Sequence, residues 1–294
     1  MGTEALPYIV NAACNIPFSM LAIAGNLLIL ASFIRCPSMI TPSNVFLISL
    51  SLSDFCVGLF VQPLYISWRF QDYKTLSRNR GTLVSSVIAV SAVLCSFSLL
   101  TVTFLSIDRF LALRLHLRYN QVITVRRVSW FLVVLFLASI LICSATVWFP
   151  SYDEFAGAII ALASFIVNAA MYWKIYRVVQ RHKRQIWTQQ QHEQASTPNA
   201  GLLRILRLRR LSLTMFYVYF ILLLCYLPYM SLAAVFPFLK RRYSLSFAFE
   251  ISWTFVYINS SLNPLLYSWR LREIRKAMKN TLLKSFKITA SIDV

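Results

Sequence analysis

Three groups of polar residues lie inside long apolar stretches, where side chains have no water to bind. The first is Asn259-Ser260-Ser261-Leu262-Asn263-Pro264, in a run, 251–267, that contains no charge. The others are Asp54 and the adjacent pair Asp108-Arg109. Unpaired amides and carboxylates are costly in hydrocarbon, so these groups must find partners. We therefore predict a functional polar core; the alternative is a kinked helix with ordinary interhelical hydrogen bonds.

Asp54 has no partner nearby in the sequence, so it must be protonated, paired or bound to a cation. Oxygen donors predicted at a similar depth are Ser98, Asn259, Ser260 and Asn263. Hydroxyl and amide oxygens around a carboxylate suit a hard monovalent cation better than a transition metal. The alternative is a protonated Asp54 in a hydrogen-bond network. No other cofactor is predicted.

The elements that must position these residues are apolar helices. Hydrophobic residues make up 58% of the chain and charged residues 13%, whereas soluble proteins carry roughly 25% charged residues. Seven runs approach or exceed the roughly 20 residues that cross a bilayer: 8–33, 43–68, 83–113, 128–149, 155–181, 204–238 and 245–269. We predict an all-α membrane protein with one domain, 1–294, folded as a seven-transmembrane helix bundle.

A short amphipathic helix is predicted after the seventh span, over 270–285. Leu271, Ile274 and Met278 fall at helical spacing, with Arg and Lys between them. Such a helix lies along the inner leaflet, where its charges meet anionic headgroups, so membrane lipid is a predicted partner.

The net charge of +19 is distributed as in a membrane protein. With the amino terminus outside and the carboxyl terminus in the cytoplasm, the inner side carries 22 of the 29 Lys and Arg residues. This asymmetry follows the positive-inside rule and predicts a multi-pass plasma-membrane protein in that orientation. The chain has no basic patch interleaved with aromatic residues, so nucleic acid is not expected as a partner.

Motifs in successive spans resemble those of rhodopsin-like (class A) G-protein-coupled receptors over essentially the whole chain. Their order and depth carry the resemblance: Gly25-Asn26, Leu50–Asp54, Asp108-Arg109-Phe110, Trp130, Cys225-Tyr226-Leu227-Pro228 and Asn263-Pro264-Leu265-Leu266-Tyr267. The resemblance implies a sodium pocket formed by Asp54 and the four oxygen donors named with it above. It also implies a heterotrimeric G protein as partner, whose Gα helix enters an inner cleft. Nothing in the sequence indicates whether the receptor dimerises.

The resemblance also implies a switch centred on Arg109. Asp108 would hold Arg109 at rest. On activation, Arg109 would reach towards Tyr172 and Tyr267 while the sixth helix swings out about Pro228. Tyr226 and Pro264 belong to the same machinery.

Departures from the family pattern affect this switch. Tyr226 stands where the family usually has Trp, and Leu208 where many relatives carry an acid that restrains the arginine. Val84 replaces the third-span disulfide cysteine, and Ser164 the fifth-span proline. We therefore expect more signalling without ligand than in a typical relative. The pattern is closest to the branch of melanocortin, lysophospholipid, cannabinoid and adenosine receptors.

The ligand site is predicted mainly by exclusion. Ser91 occupies the position where amine receptors keep an Asp, so no salt bridge to a monoamine forms there. The implied cavity is mostly apolar and aromatic, which suits a lipid-like or small hydrophobic ligand; interior packing without a ligand is the alternative. The residues lining it would be Ser91, Ala92, Cys95, Tyr229, Met230, Trp253 and Tyr257.

Two other protein classes fit parts of the pattern. A small-solute transporter also places polar residues at mid-bilayer, and a receptor-like chaperone or dimer partner would keep the fold without signalling. Catalysis has no support, because His116, His182 and His192 are all predicted at the inner face without a partnered nucleophile.

Overall fold

The computed structural model describes residues 2–75, 82–115, 118–148, 153–192, 200–235 and 246–292. The ends of three predicted spans, at 149, 236–238 and 245, lie outside the described residues. The side chain of Leu208 also lies outside the described part of the chain.

The described chain is helical, which confirms the predicted all-α bundle. The helices are α1 (Gly2–Arg35), α2 (Pro42–Cys56), α3 (Gln62–Thr75), α4 (Thr82–Leu115), α5 (Tyr119–Val122), α6 (Val125–Trp148), α7 (Asp153–His192), α8 (Ala200–Val235), α9 (Ser246–Arg270) and α10 (Arg272–Ile292). A 3-10 turn, Pro37–Met39, precedes α2, and a π turn, Val57–Val61, joins α2 to α3. The predicted second span therefore corresponds to α2, the π turn and α3 together.

Six stretches among the described residues are long and apolar enough to cross a membrane: Ile9–Arg35, Pro42–Arg69, Val87–Leu115, Val125–Ser144, Gly157–Arg181 and Phe216–Val235. The predicted seventh span is α9. Glu250 and the polar segment 259–263 make α9 less apolar than the other spans. Its polar residues are buried against other helices, which is how a helix of this composition is accommodated in a bilayer.

The π turn was not predicted, although the sequence contains its cause. Pro63, in the first turn of α3, has no N–H to donate to the carbonyl of Leu59. A wider turn over Val57–Val61 accommodates the break without ending the span. It separates Asp54 from α3, the half of the span that the predicted orientation places on the outer side.

A second proline positions α9 against α1. Pro264 lies inside α9 and leaves the carbonyl of Ser260 without an intrahelical donor. Asn26 of α1 supplies one, because its Nδ2 donates to that carbonyl at 3.0 Å. Gly25 permits the approach: a Cβ there would lie 2.8 Å from Cβ of Pro264. The two helices are therefore locked together beside the polar segment of α9.

The amphipathic helix α10 is longer than predicted and packs on α1. Leu271, Ile274 and Ala277 are buried on one face, while the basic residues between them are exposed. Arg35 Nη1 donates to the carbonyl of Thr281 at 2.9 Å, which ties the inner end of α1 to α10.

Candidate functional site

Asp54 lies at the centre of the bundle and is fully buried. Its Oδ2 accepts a hydrogen bond from Nδ2 of Asn263 at 2.6 Å, across α2 and α9. No described residue donates to its other oxygen, Oδ1, and the buried Oδ1 of Asn259 is likewise without a hydrogen-bond partner in the described chain. A buried carboxylate oxygen and a buried amide oxygen thus retain coordinating capacity, which fits a hard cation.

The other predicted members of this pocket lie around Asp54 with different partners. Ser98 Oγ is 2.8 Å from Oγ of Ser53, and Ser53 in turn donates to the carbonyl of Leu50. Ser98 is therefore hydrogen-bonded to the neighbour of Asp54. Ser260 is buried, and its backbone carbonyl accepts from Asn26. The structure brings Asp54 and Asn263 into direct contact and places the Ser260 side chain beside the same carboxylate. Ser98 of α4 instead contacts Ser53, the residue before Asp54.

Asp108 and Arg109 form a buried ion pair at the inner end of α4. Nη2 of Arg109 lies 2.6 Å from Oδ2 of Asp108, and Nε donates to the same oxygen at 3.1 Å. Ser43 of α2 also donates to Oδ2, at 2.7 Å, and Tyr119 of α5 donates to Oδ1 at 2.5 Å. The Asp108 carboxylate therefore accepts hydrogen bonds from three residues, which lie on three different helices.

Tyr119 was not recognised from the sequence, because nothing local shows that the short helix α5 turns back towards Asp108. Burial, together with the adjacent Asp108 carboxylate, raises the pKa of Tyr119. The hydroxyl thus keeps its proton and acts as a donor. Beside it, a cavity of about 390 Å³ opens at the inner face, between the start of α2 and α5; its lining includes Ile40, Ser43 and Ile123.

The two tyrosines predicted to receive Arg109 are buried, and neither is hydrogen-bonded to it in the described part of the chain. Tyr172 shares a hydrogen bond of 3.1 Å with Ser106 and stacks on Tyr219, with ring centroids 5.5 Å apart. Tyr267 is fully buried, and its hydroxyl has no hydrogen-bond partner among the described residues. Arg109 is instead held by Asp108, which is the arrangement predicted for a resting receptor.

The sixth span, α8, makes two contacts that bear on its movement. Pro228 lies inside the helix, and Tyr226 donates from its hydroxyl to the carbonyl of Cys95 on α4 at 3.3 Å. At the inner end, the guanidinium of Arg270 lies 4.6 Å from the ring centroid of Tyr217 and 5.1 Å from that of Trp269. The rings of Tyr217 and Trp269 are 5.9 Å apart. We call this group the inner clasp; it joins α8 to the end of α9 and was not predicted.

The predicted ligand-lining residues form a largely packed wall. Ser91 shares a hydrogen bond of 3.0 Å with the hydroxyl of Tyr257, so its polar group is already engaged. Trp253 lies 5.0 Å from Tyr229 and 5.9 Å from Tyr257, measured between ring centroids. Cys95 and Met230 pack against the same core, and Ala92 is half-buried on α4.

A polar network missed by the sequence analysis joins α1, α3 and α9 in the outer half. Nδ2 of Asn11 donates to the hydroxyl of Tyr65 at 2.8 Å, and Thr254 donates to Oδ1 of Asn11 at 2.6 Å. Above it, the buried Arg69 of α3 forms an ion pair with the half-buried Glu250 of α9, with 2.9 Å between Nη1 and Oε1. The spacing of Asn11, Asn15 and Ser19 at every fourth residue is the sequence signal that could have predicted a polar face on α1.

Comparison with known proteins identifies the class to which this arrangement belongs. The model of the 7 transmembrane receptor (rhodopsin family) matches residues 25–157 and 143–267. The chain belongs to this family of class A receptors. It is accordingly a receptor rather than an enzyme, and a multi-pass plasma-membrane protein.

Individual relatives are distant. The chain is 24% identical to trace amine-associated receptor 4 of Mus musculus, over 93% of this chain and 86% of that protein. It is 27% identical to trace amine-associated receptor 5 of Mus musculus, over 94% of this chain and 85% of that protein. It is 22% identical to the alpha-1D adrenergic receptor of Homo sapiens, over 88% of this chain but only 54% of that protein. These names do not confirm the predicted melanocortin–adenosine branch.

Proposed function

We propose that this receptor passes a signal to heterotrimeric G proteins through a switch at Arg109. The observation that carries the proposal is the buried Asp108–Arg109 pair, with Ser43 and Tyr119 on the same carboxylate. Breaking the pair frees the Arg109 guanidinium at the inner end of α4, where it can contact a partner helix. The basic inner surface supports the predicted orientation, with the amino terminus outside.

Outward movement of α8 about Pro228 is the second part of the proposal. The movement separates Tyr217 from Arg270 and Trp269, and it opens the space into which a Gα helix inserts. Tyr172 and Tyr267 then become available to Arg109. The unpartnered hydroxyl of Tyr267 supports this step, because a buried hydroxyl without a hydrogen bond gains free energy when it acquires one.

We further propose that Asp54 holds a sodium ion in the resting state. Oδ1 of Asp54 and Oδ1 of Asn259 would contact it, and the hydrogen bond from Asn263 orients the carboxylate. The ion would supply positive charge beside a buried carboxylate and so stabilise the conformation that forms the pocket. Ser98 would take part only if its hydroxyl turned from Ser53 to the ion.

The ligand we propose is lipid-like or small and hydrophobic, in keeping with the aromatic wall of Tyr229, Trp253 and Tyr257. The names of the relatives suggest an amine, but an amine needs a carboxylate. Ser91 supplies none, and the carboxylate of Glu250 already pairs with Arg69 at 2.9 Å.

Coupling of the receptor to chimeric Gα subunits in cells, without ligand and with a ligand panel, tests the function. Arg109→Ala should abolish coupling, because it removes the group proposed to contact the partner. Surface expression should be retained, because Ser43 and Tyr119 still donate to the Asp108 carboxylate. Arg109→Lys is the matched variant: it keeps the charge but loses the two-point contact with Asp108. Coupling unchanged in Arg109→Ala would refute the switch. No coupling of the wild type to any subunit would favour the non-signalling partner, and solute flux in proteoliposomes would favour a transporter.

A further inference from the structure

The outer halves of α1 and of the second span run antiparallel, and their contacts fix their register. Asn11 bonds to Tyr65, and one level deeper Ser19 donates to the carbonyl of Gly58 at 2.8 Å. Asn15 lies midway between Asn11 and Ser19, and Gln62 lies midway between Gly58 and Tyr65. Asn15 and Gln62 therefore occupy the same level, on faces that meet each other.

Three polar atoms at this level have no hydrogen-bond partner among the described residues. Gln62 is fully buried, and neither its amide nitrogen nor its amide oxygen is hydrogen-bonded within the described chain. Asn15 is also fully buried; its Nδ2 donates to Thr254 at 3.1 Å, while its Oδ1 has no donor among the described residues. Buried amides are rarely left unsatisfied, so one donor group and two acceptor oxygens at this level require a ligand.

The unsatisfied atoms continue towards the centre of the bundle. Beyond the π turn lie Oδ1 of Asn26, Oδ1 of Asp54 and Oδ1 of Asn259, all buried and without hydrogen-bond partners in the described residues. In the outward direction, Tyr65 donates to the backbone carbonyl of Glu250 at 3.1 Å. A series of polar groups thus extends from the outer ion pair to the Asp54 carboxylate, between α1, the second span and α9.

We propose that these three helices enclose a chain of ordered water molecules, centred on Asn15 and Gln62, that leads from the outer ends of the helices to Asp54. Water is the ligand that both donates and accepts within so small a site, and it is the usual partner of buried polar groups that lack protein partners. Val61 and Val87 pack in one apolar cluster with Tyr257 of the aromatic wall, so apolar side chains lie between that wall and the polar series. Solvent therefore reaches Asp54 without passing through the ligand site.

Thiol accessibility tests the water chain directly. Gln62→Cys and Val61→Cys place a thiol at adjacent, fully buried positions, one facing the polar series and one facing the apolar cluster. The full-length receptor in lipid nanodiscs is treated with a small water-borne methanethiosulfonate, and modification at each position is followed by peptide mass spectrometry. Only the thiolate reacts, and it forms only where water is present, so we expect modification at least about tenfold faster at position 62. Equally slow modification at both positions would overturn the proposal.

Thermal unfolding of Gln62→Met tests the proposal independently, because the two possibilities shift the melting temperature in opposite directions. If water binds the amide, the substitution removes the partners of that water and lowers the melting temperature. If the amide is dry and unsatisfied, an apolar side chain of similar length raises the melting temperature, and the proposal fails.

The role of the water chain rests on the proposed sodium pocket, and the two can fail separately. Fast modification at position 62, combined with sodium-dependent stability that persists in Asp54→Asn, would support the water chain and refute the pocket. Sodium-dependent stability that is lost in Asp54→Asn, combined with slow modification at position 62, would support the pocket and refute the water chain.

Discussion

The inner clasp provides a restraint on α8 that does not depend on an acid at position 208. Arg270→Ala removes the guanidinium that lies 4.6 Å from the ring of Tyr217 while leaving Tyr217 and Trp269 in contact. Because Trp269 is on the same helix as Arg270, outward movement of α8 breaks only the contact with Tyr217. Of the two cation–π contacts that Arg270 makes, only the one with Tyr217 therefore stabilises the inward position of α8 relative to the outward one.

The expected rise in ligand-independent output of Arg270→Ala depends on how exposed the clasp is to solvent. Tyr217 is 37% exposed, and a cation–π contact in such a setting contributes about 0.5–1 kcal/mol. Losing it should raise the ratio of active to inactive receptor, and hence ligand-independent output, by about 2- to 5-fold. Tyr217→Leu also loses the ring contact with Trp269, so its output should rise further. Tyr217→Phe keeps the aromatic ring and should behave like the wild type.

The assay is ligand-independent signalling, normalised to surface expression of each variant. Arg177→Ala is the matched control, because Arg177 lies 5.0 Å from the ring of Trp173 on its own helix and restrains no movement between helices. We expect its basal output to match that of the wild type. The reasoning fails if Arg270→Ala leaves basal output unchanged, or if Tyr217→Phe raises it as much as Tyr217→Leu.

Three further substitutions test other parts of the receptor. Asp54→Asn should abolish the dependence of melting temperature on sodium, since it keeps the shape of the side chain and removes its charge; persisting dependence would mean that the pocket is misassigned. Gly25→Ala places a Cβ 2.8 Å from the rigid ring of Pro264, so it should destabilise the receptor by about 1–3 kcal/mol, as measured by thermal unfolding. Gly157→Ala is the control and should cost less, because the nearest atom to its new Cβ is the hydroxyl of Tyr229 at 3.2 Å. Leu208→Glu adds the acid that relatives use to restrain Arg109 and should lower basal output at equal surface expression; an increase would contradict that role.

The predictable features were those encoded locally. Uninterrupted apolar runs are sufficient to predict α1, α4 and α6, because any helix of that composition must be buried or span a membrane. The family motif placed Asn263 beside Asp54, and the structure joins them at 2.6 Å. The π turn could also have been inferred, since Pro63 removes a backbone donor from the middle of a span.

Contacts between helices were less predictable because they depend on how each helix is rotated. The polar face of Asn11, Asn15 and Ser19 is visible as a spacing of four, but the sequence does not say that it meets Tyr65. The same holds for the inner clasp: Tyr217 and Arg270 are more than fifty residues apart, and no local pattern pairs them. Tyr119 was missed because α5 folds back from a loop.

The two buried carboxylates differ in a way that suits two roles. Asp108 accepts from Arg109, Ser43 and Tyr119, so both of its oxygens are engaged and the surrounding elements are held in one arrangement. A network satisfied in this way stabilises a conformation and must be broken for the receptor to change. Asp54 accepts from Asn263 through one oxygen, and no described residue donates to the other. A buried oxygen of that kind has a strong tendency to acquire a ligand. The hydrogen bonds of the inner carboxylate therefore suit its proposed role of holding the resting state, and the open oxygen of the central one suits the proposed binding of an ion and water.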